Sequence, residues 1–355
     1  MAISHPVIRV AVDAMGGDHA PQEVVRGCLI VAREMPFVDI TLVGDQQRIA
    51  AELRTSSLPP NLHIRHAPQV IEMWESPVQA IRRKRDASIV VCAQMVQEGE
   101  AEAFFSAGNS GAAMAVAALH IGRIPGIDRP AIAAAVPCKK GRFVLIDAGA
   151  NVDCDPSHLL EFAIMGTVYA QVILGIANPT VALLSNGEEE GKGNQVVKTA
   201  HKLLHQSGLA FVGNVEGKDV FEGKADVVVC DGFVGNVALK IGEGTASFMV
   251  SLIEEEVRRN PLLVIPLSMF RGVIRRLKRR TDYAEYGGAH LLGVRGICVI
   301  GHGRSHASAI ANGVRMTVRS AQERMAERIE SAMLQQTALL STLPFLLQEG
   351  EGDAP

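Results

Sequence analysis

Aromatic side chains are scarce, 4% of 355 residues, so Ala, Val, Ile and Gly must fill the interior of a chain that is 48% hydrophobic. Such fillers suit helices packed closely on a parallel sheet better than an antiparallel sandwich. The hydrophobic share also excludes disorder. Excess charge is lacking: a net charge of −3 offers no overall basic footprint for nucleic acid, and an anionic partner has to be met by a local patch. Six cysteines, Cys28, Cys92, Cys138, Cys154, Cys230 and Cys298, include no C-x-x-C pair and have no His at zinc-ligand spacing. They read as reduced core thiols of a cytoplasmic protein, with no metal site. Residues 1–20 lack a basic start, and Arg9 and Asp13 interrupt their apolar run, so no signal peptide is expected. No stretch reads as the ~18 apolar residues of a membrane-spanning helix.

What is present is a rhythm. Short β-branched runs alternate with helical patterns: VIRVAVD then Gln22–Glu34, DITLVGD then 46–54, AFFSAG then 110–123, and RFVLIDAG then 158–175. TVALLSN precedes Gln195–Gln206, ADVVVCDG precedes 237–259, and GICVIGHG precedes 306–333. The alternation predicts one α/β catalytic unit over 1–340, a mostly parallel sheet covered by helices on both faces, with a loose tail at 341–355. Six strands run into MGGDHAP, GNSGA, AGANVD, NGEEEGKGN, DGFVGN and GHGRSH. In an all-parallel sheet these loops open on one rim, where ligands bind.

Glycines there let backbone N–H groups approach an anion such as phosphate, and tight turns alone are the alternative reading of each loop. Nucleotide fingerprints fail: GEEEGKGN is one residue short of a P-loop, GHGRSH lacks a third glycine, and GNSGA is not a nucleophile elbow. Cys154 lies between Asp153 and Asp155, which suppress a thiolate. Asp13, Asp18, Asp147, Asp153 and Asp231 are oxygen donors, but carboxylates at strand ends more often orient loops. Lys192, flanked by Gly191 and Gly193, is either a solvated charge beside Glu188, Glu189 and Glu190 or an ammonium that meets phosphate or a developing oxyanion. His19 and His302 are either capped turn residues or proton carriers.

Two basic segments remain. Arg82, Arg83, Lys84 and Arg85 follow a helical start at Pro77. Between Asn260 and Arg280, Leu267, Phe270, Ile274 and Leu277 recur at helical spacing while Arg271, Arg275, Arg276, Lys278, Arg279 and Arg280 crowd the other positions. That pattern reads as an interfacial helix whose apolar stripe serves an anionic membrane, a subunit contact, or both.

With these loops in place, the sequence resembles the bacterial phosphate acyltransferase family of phospholipid synthesis. The resemblance rests on AVDAMGGDHAP, SAGNSGA, GRIPGIDRPA, LIDAGANVD, FAIMGTVYA, KGN, FVGNVEG, ADVVVCDGFVGNVALK and YAEYGGAHLLG, in that order. It departs at Ser185–Asn186, and at Arg304 and His306, where small or acidic residues are familiar in the family. The resemblance implies an isopropylmalate-dehydrogenase-like fold, a homodimer, and a helical hairpin excursion at 244–286 for dimer or membrane contact. It implies fatty acyl transfer from the acyl carrier protein thioester to inorganic phosphate with no cofactor. The acyl phosphate would feed a glycerol-3-phosphate acyltransferase, and the protein would be cytoplasmic and peripheral on the inner face of the membrane.

On this reading Lys192, His19 and Asn236 are the expected catalytic residues. Gly16, Gly17, Asp18, Asn109, Ser110, Gly111, Gly187, Gly193, Asp231 and Gly232 surround substrate and phosphate. Arg82, Arg83, Lys84 and Arg85 dock the carrier, and Leu267, Phe270, Ile274, Leu277, Arg275 and Arg279 contact membrane. A decarboxylating dehydrogenase would need a tight metal-holding Asp cluster and several site arginines, neither of which is found. A non-enzymatic membrane adaptor would leave the six polar loops unused.

Overall fold

A computed structural model describes residues 7–53, 58–259 and 287–342. In chain order the first half contains β1 (Ile8–Asp13), α1 (Gln22–Glu34), β2 (Val38–Gly44), α2 (Gln46–Leu53), β3 (Leu62–His66), α3 (Pro77–Arg83), α4 (Ser88–Gln97), β4 (Ala103–Ser106) and α5 (Ser110–Val116). Next come β5 (Ala131–Cys138), β6 (Gly141–Ile146), α6 (Pro156–Tyr169), β7 (Val181–Leu184), α7 (Gln195–Gln206), β8 (Phe211–Val215), α8 (Gly217–Val220), β9 (Val227–Val229) and α9 (Gly232–Arg259). The chain continues through β10 (Ala289–Leu292), β11 (Ile297–Ile300), α10 (Ala307–Gln322) and α11 (Met325–Thr342). Wider π turns at Ala117–Ile121 and Ala170–Leu174 extend α5 and α6.

The expected α/β class and two-faced covering hold. Alternation along β1 sends Val10 and Val12 into a core shared with α1, α6 and α10, and Ala11 into one shared with α4 and α5. In β6, Val144 and Ile146 join the first core, while Phe143 and Leu145 point the other way. One helical run, Pro156–Leu174, has the length and hydropathy of a membrane span, contrary to the sequence expectation. Its side chains are mostly buried in the protein, which gives its apolar composition a packing reason.

Among the described residues the eleven strands form one sheet in the order β3-β2-β1-β4-β11-β10-β5-β6-β9-β7-β8. Its middle is antiparallel: Leu291 of β10 faces Cys298 of β11 and Ile132 of β5, and Ala134 of β5 faces Leu145 of β6. Three reversals therefore separate two parallel groups that point in opposite directions. The single rim expected for all six loops does not form. Loops after β1, β4 and β11 leave one edge of the sheet, and those after β6, β7 and β9 leave the opposite edge.

Two boundaries also differ. Helix α9 starts at Gly232 rather than at 237, because Asp231 accepts the Val234 N–H at 2.9 Å and starts the first turn earlier. The run at 306–333 is two helices broken at Arg324, whose φ is 51°. Of the expected hairpin, α9 covers the portion to Arg259, and 260–286 lies outside the described residues.

Candidate active site

The first cluster is built around Asp13 at the end of β1. Its carboxylate is buried, accepts Ser88 Oγ–H at 2.6 Å and Ser106 Oγ–H at 2.7 Å, and takes the Met15 N–H at 3.2 Å. Burial pushes its pKa up, against the pull of those donors. Asp13 thereby ties the loop after β1 to α4 and β4, the loop-orienting use expected of such a carboxylate. Gly16 lies so close that a Cβ would stand 2.6 Å from Asp13 Oδ2 and 2.7 Å from the Gly108 nitrogen, so any larger residue would pry the two loops apart. The third loop closes on them: the Asp18 N–H donates to the Gly303 carbonyl at 2.8 Å, and the His19 and His306 rings stack at 4.9 Å. His19 and Asp18 are exposed at the mouth, with Gly17, Ser110 and Gly111 beside them in the same three loops.

Asn109 differs from its expected part as a phosphate-facing side chain. It is buried; its Oδ1 caps α5 by accepting the Ala112 N–H at 3.0 Å. Its Nδ2 donates to the carbonyls of Glu72, Met73 and Glu75 at 3.2, 3.2 and 3.1 Å. The amide thus clamps the 72–75 loop onto the first cluster. No local pattern foretells contacts 34 to 37 residues upstream.

The second cluster repeats the device around Asp147, after β6. This buried carboxylate accepts N–H bonds from Ile132, Gly149, Ala150 and Asn151 at 2.7–3.1 Å, and the Asn151 amide at 2.9 Å. The Gly232 N–H donates to the Asn151 carbonyl at 2.6 Å, placing the start of α9, with Asp231 and Asn236, over this loop. A Cβ at Gly235 would meet the Asp147 carbonyl oxygen at 1.9 Å. Cys154 is half-buried here, its thiol pushed up to about 12 first by burial and then by Asp147 and Asp231. It is a poor nucleophile as expected, although the carboxylates responsible are not its neighbours in sequence.

The loop after β7 stands beside this group. Asn186 Oδ1 takes the Gly193 N–H at 2.8 Å, and Asn214 Nδ2 holds the Glu189 carbonyl at 3.0 Å. Glu188 pairs with Lys224 at 2.7 Å, and Glu190 stands 3.7 Å from the buried His201 Nδ1. Glu188 therefore anchors the loop, while Glu190 is exposed and only near a histidine whose burial favours the neutral ring. Lys192 is exposed, its stem lying over Gly187.

The structure thus gathers Gly16, Gly17, Asp18, His19, Asn109, Ser110 and Gly111 in one place. Asp231, Gly232 and Asn236 gather in another, with Gly187, Lys192 and Gly193 on the same edge. In the strand order β1 stands third and β7 tenth, seven spacings or roughly 34 Å along the sheet. Of the basic segment, Arg82, Arg83 and Arg85 are exposed, while Lys84 donates to the Val70 carbonyl at 2.7 Å and to Glu75 at 2.6 Å. The candidate membrane residues Leu267, Phe270, Ile274, Leu277, Arg275 and Arg279 lie outside the described residues.

The sheet and its helices define the fold class of the phosphotransacetylases. A phosphotransacetylase from Streptococcus pyogenes superposes with a TM-score of 0.60 at 18% identity over 89% of this chain and 94% of its own. The EutD phosphotransacetylase of Staphylococcus aureus gives 0.56 at 15% identity, covering 88% and 94%. Residues 8–328 match the model of a family described as fatty acid synthesis protein. The phosphate acyltransferase of Pelotomaculum thermopropionicum is 52% identical over 92% of this chain and 95% of its own. That of Syntrophotalea carbinolica is 49% identical over 91% and 93%. The chain belongs to this family of phosphate acyltransferases and is an acyltransferase.

Proposed function

We propose that the protein transfers a fatty acyl group from the thioester of acyl carrier protein to inorganic phosphate, giving acyl phosphate and the free carrier thiol. The observation that carries this reading is the first cluster. There, loop backbones from β1, β4 and β11 close on one another around an exposed histidine, in a chain alike over nearly its whole length to phosphate acyltransferases. Phosphate is an anionic nucleophile near neutral pH, so no protein nucleophile is required and the task is positioning plus oxyanion stabilisation. A phosphate oxygen attacks the thioester carbon, a tetrahedral oxyanion forms, and the C–S bond breaks as the departing sulfur takes a proton from His19 or water.

In this scheme Gly16, Gly17, Ser110 and Gly111 hold phosphate and thioester, and Asn109 secures the loop beside them. Lys192 and N–H groups near Gly187 meet the oxyanion, while Gly232, its own N–H held by the Asn151 carbonyl, joins Asp231 and Asn236 in fixing the start of α9. Since the clusters leave opposite edges of the sheet, we assign their union to a homodimer in which one copy supplies Lys192 to the other's His19. Arg82, Arg83 and Arg85 offer an acidic carrier protein a complementary surface. Residues 260–280 hold the enzyme reversibly on the inner face of an anionic membrane, where a glycerol-3-phosphate acyltransferase consumes the acyl phosphate.

The test is release of carrier thiol by the purified protein from palmitoyl-acyl carrier protein. Release that rises with phosphate concentration and needs no nucleotide is expected. Thioester loss independent of phosphate would overturn the reading.

A further inference from the structure

The loop between β3 and α3 displays a feature that acyl transfer to phosphate does not by itself require. Trp74, the single tryptophan of the chain, is 83% exposed; Met73 just before it is 47% exposed, and Val78, in the first turn of α3, is 51% exposed. Large apolar side chains on a free loop would ordinarily fold back onto the protein. Here polar clamps on both sides hold the loop out. Asn109 binds three of its carbonyls, and Glu75 accepts the Glu72 N–H at 2.8 Å together with the Lys84 ammonium. That ammonium holds the Glu75 carboxyl below its ordinary pKa. The ordering is already in place before anything binds, which lowers the entropic cost of contact.

The loop adjoins the first cluster: Met73 Cε would stand 3.0 Å from a Cβ on Gly303, the residue whose carbonyl binds Asp18. Along the chain the apolar trio is followed by the exposed cations Arg82, Arg83 and Arg85. An apolar platform at the mouth of the site, continued by basic charge, is complementary to a hydrocarbon chain carried on an acidic partner. We infer that Met73, Trp74 and Val78 are the landing surface for the acyl chain of the donor. The inference rests on the proposed acyl transfer and adds chain-length discrimination to it: long chains gain from the platform, whereas two- to four-carbon acyl groups do not reach it.

The lone tryptophan is its own reporter. In phosphate-free buffer, where the donor binds without turnover, palmitoyl-acyl carrier protein should shift Trp74 emission to the blue and protect it from acrylamide. Acetyl-acyl carrier protein should leave both unchanged. With phosphate added, Trp74→Ser and Met73→Ser should each raise KM for the palmitoyl donor on the order of ten-fold, leaving the butyryl donor unaffected. Equal effects on both donors, or none on either, would overturn the assignment. A shift produced by anionic vesicles alone would make the platform a membrane contact, and a ligand-free shift that grows with protein concentration would make it an interface between copies; either refutes an acyl-chain role. If the wild type transfers no acyl group to phosphate at all, the proposed function fails, and the emission experiment still decides whether hydrocarbon sits on Trp74.

Discussion

Replacing Asn109 separates two tasks carried by one amide. Loss of the α5 cap costs about 0.5–2 kcal/mol. The Nδ2 side has two hydrogens for three carbonyls at 3.1–3.2 Å, long bonds together worth about 1–2 kcal/mol. Asn109→Ala should therefore lower unfolding free energy by about 2–3 kcal/mol. Asn109→Ser restores a cap acceptor but no clamp, and should recover about 1 kcal/mol. Asn109→Asp keeps the acceptor and sets an anion against three carbonyl oxygens, so at neutral pH it should be at least as damaging as Ala. Urea unfolding followed by far-UV circular dichroism gives the global loss. Trp74 emission and thermolysin cleavage within 70–78 report on the loop. A Ser variant that recovers full stability and full protease resistance would refute the clamp, and an Ala variant within about 0.5 kcal/mol of wild type would refute both tasks.

Burial holds His290 down to about 3, with Nδ1 unpaired and Nε2 2.7 Å from Ser320 Oγ. Below about pH 6.5 the unfolded chain takes up a proton that the folded state refuses, so stability should fall as pH falls, by about 2 kcal/mol at pH 5 from this residue; a wild-type slope equal to that of His290→Phe would sink the assignment. Gly235→Ala would drive a methyl into the Asp147 carbonyl and displace the start of α9, so a loss of at least about 2 kcal/mol with collapse of acyl transfer is expected, measured by thermal melting and thiol release. Lys192→Ala should lower kcat more than it raises KM, on the order of 10²-fold. If His19→Ala also abolishes turnover, so that His19 and not water supplies the proton, refolding the two chains together should restore about a quarter of wild-type activity with one composite site intact per mixed dimer; activity no higher than either parent would place both residues' work within one chain.

The sequence by itself determined what depends on neighbours along the chain. Helices α1 and α7 stand at the residues their periodicity marked, and Gly, Asn and Asp cluster after strands because turn and cap chemistry is local. The loop-orienting role of Asp13 and Asp147 was likewise legible from their place at strand ends. Strand direction was not, because hydrophobic alternation is the same whichever way a strand runs, and β10, four residues long, carries no local mark of being antiparallel. Only the tertiary structure decided that the six loops divide between two edges of the sheet. It also decided that Asp13 meets Ser106 across 93 residues and that Asn109 reaches back to the Trp74 loop. Such contacts are chosen by the packing of whole elements, which brings distant polar groups within bonding distance and leaves no trace in the spacing of residues along the chain.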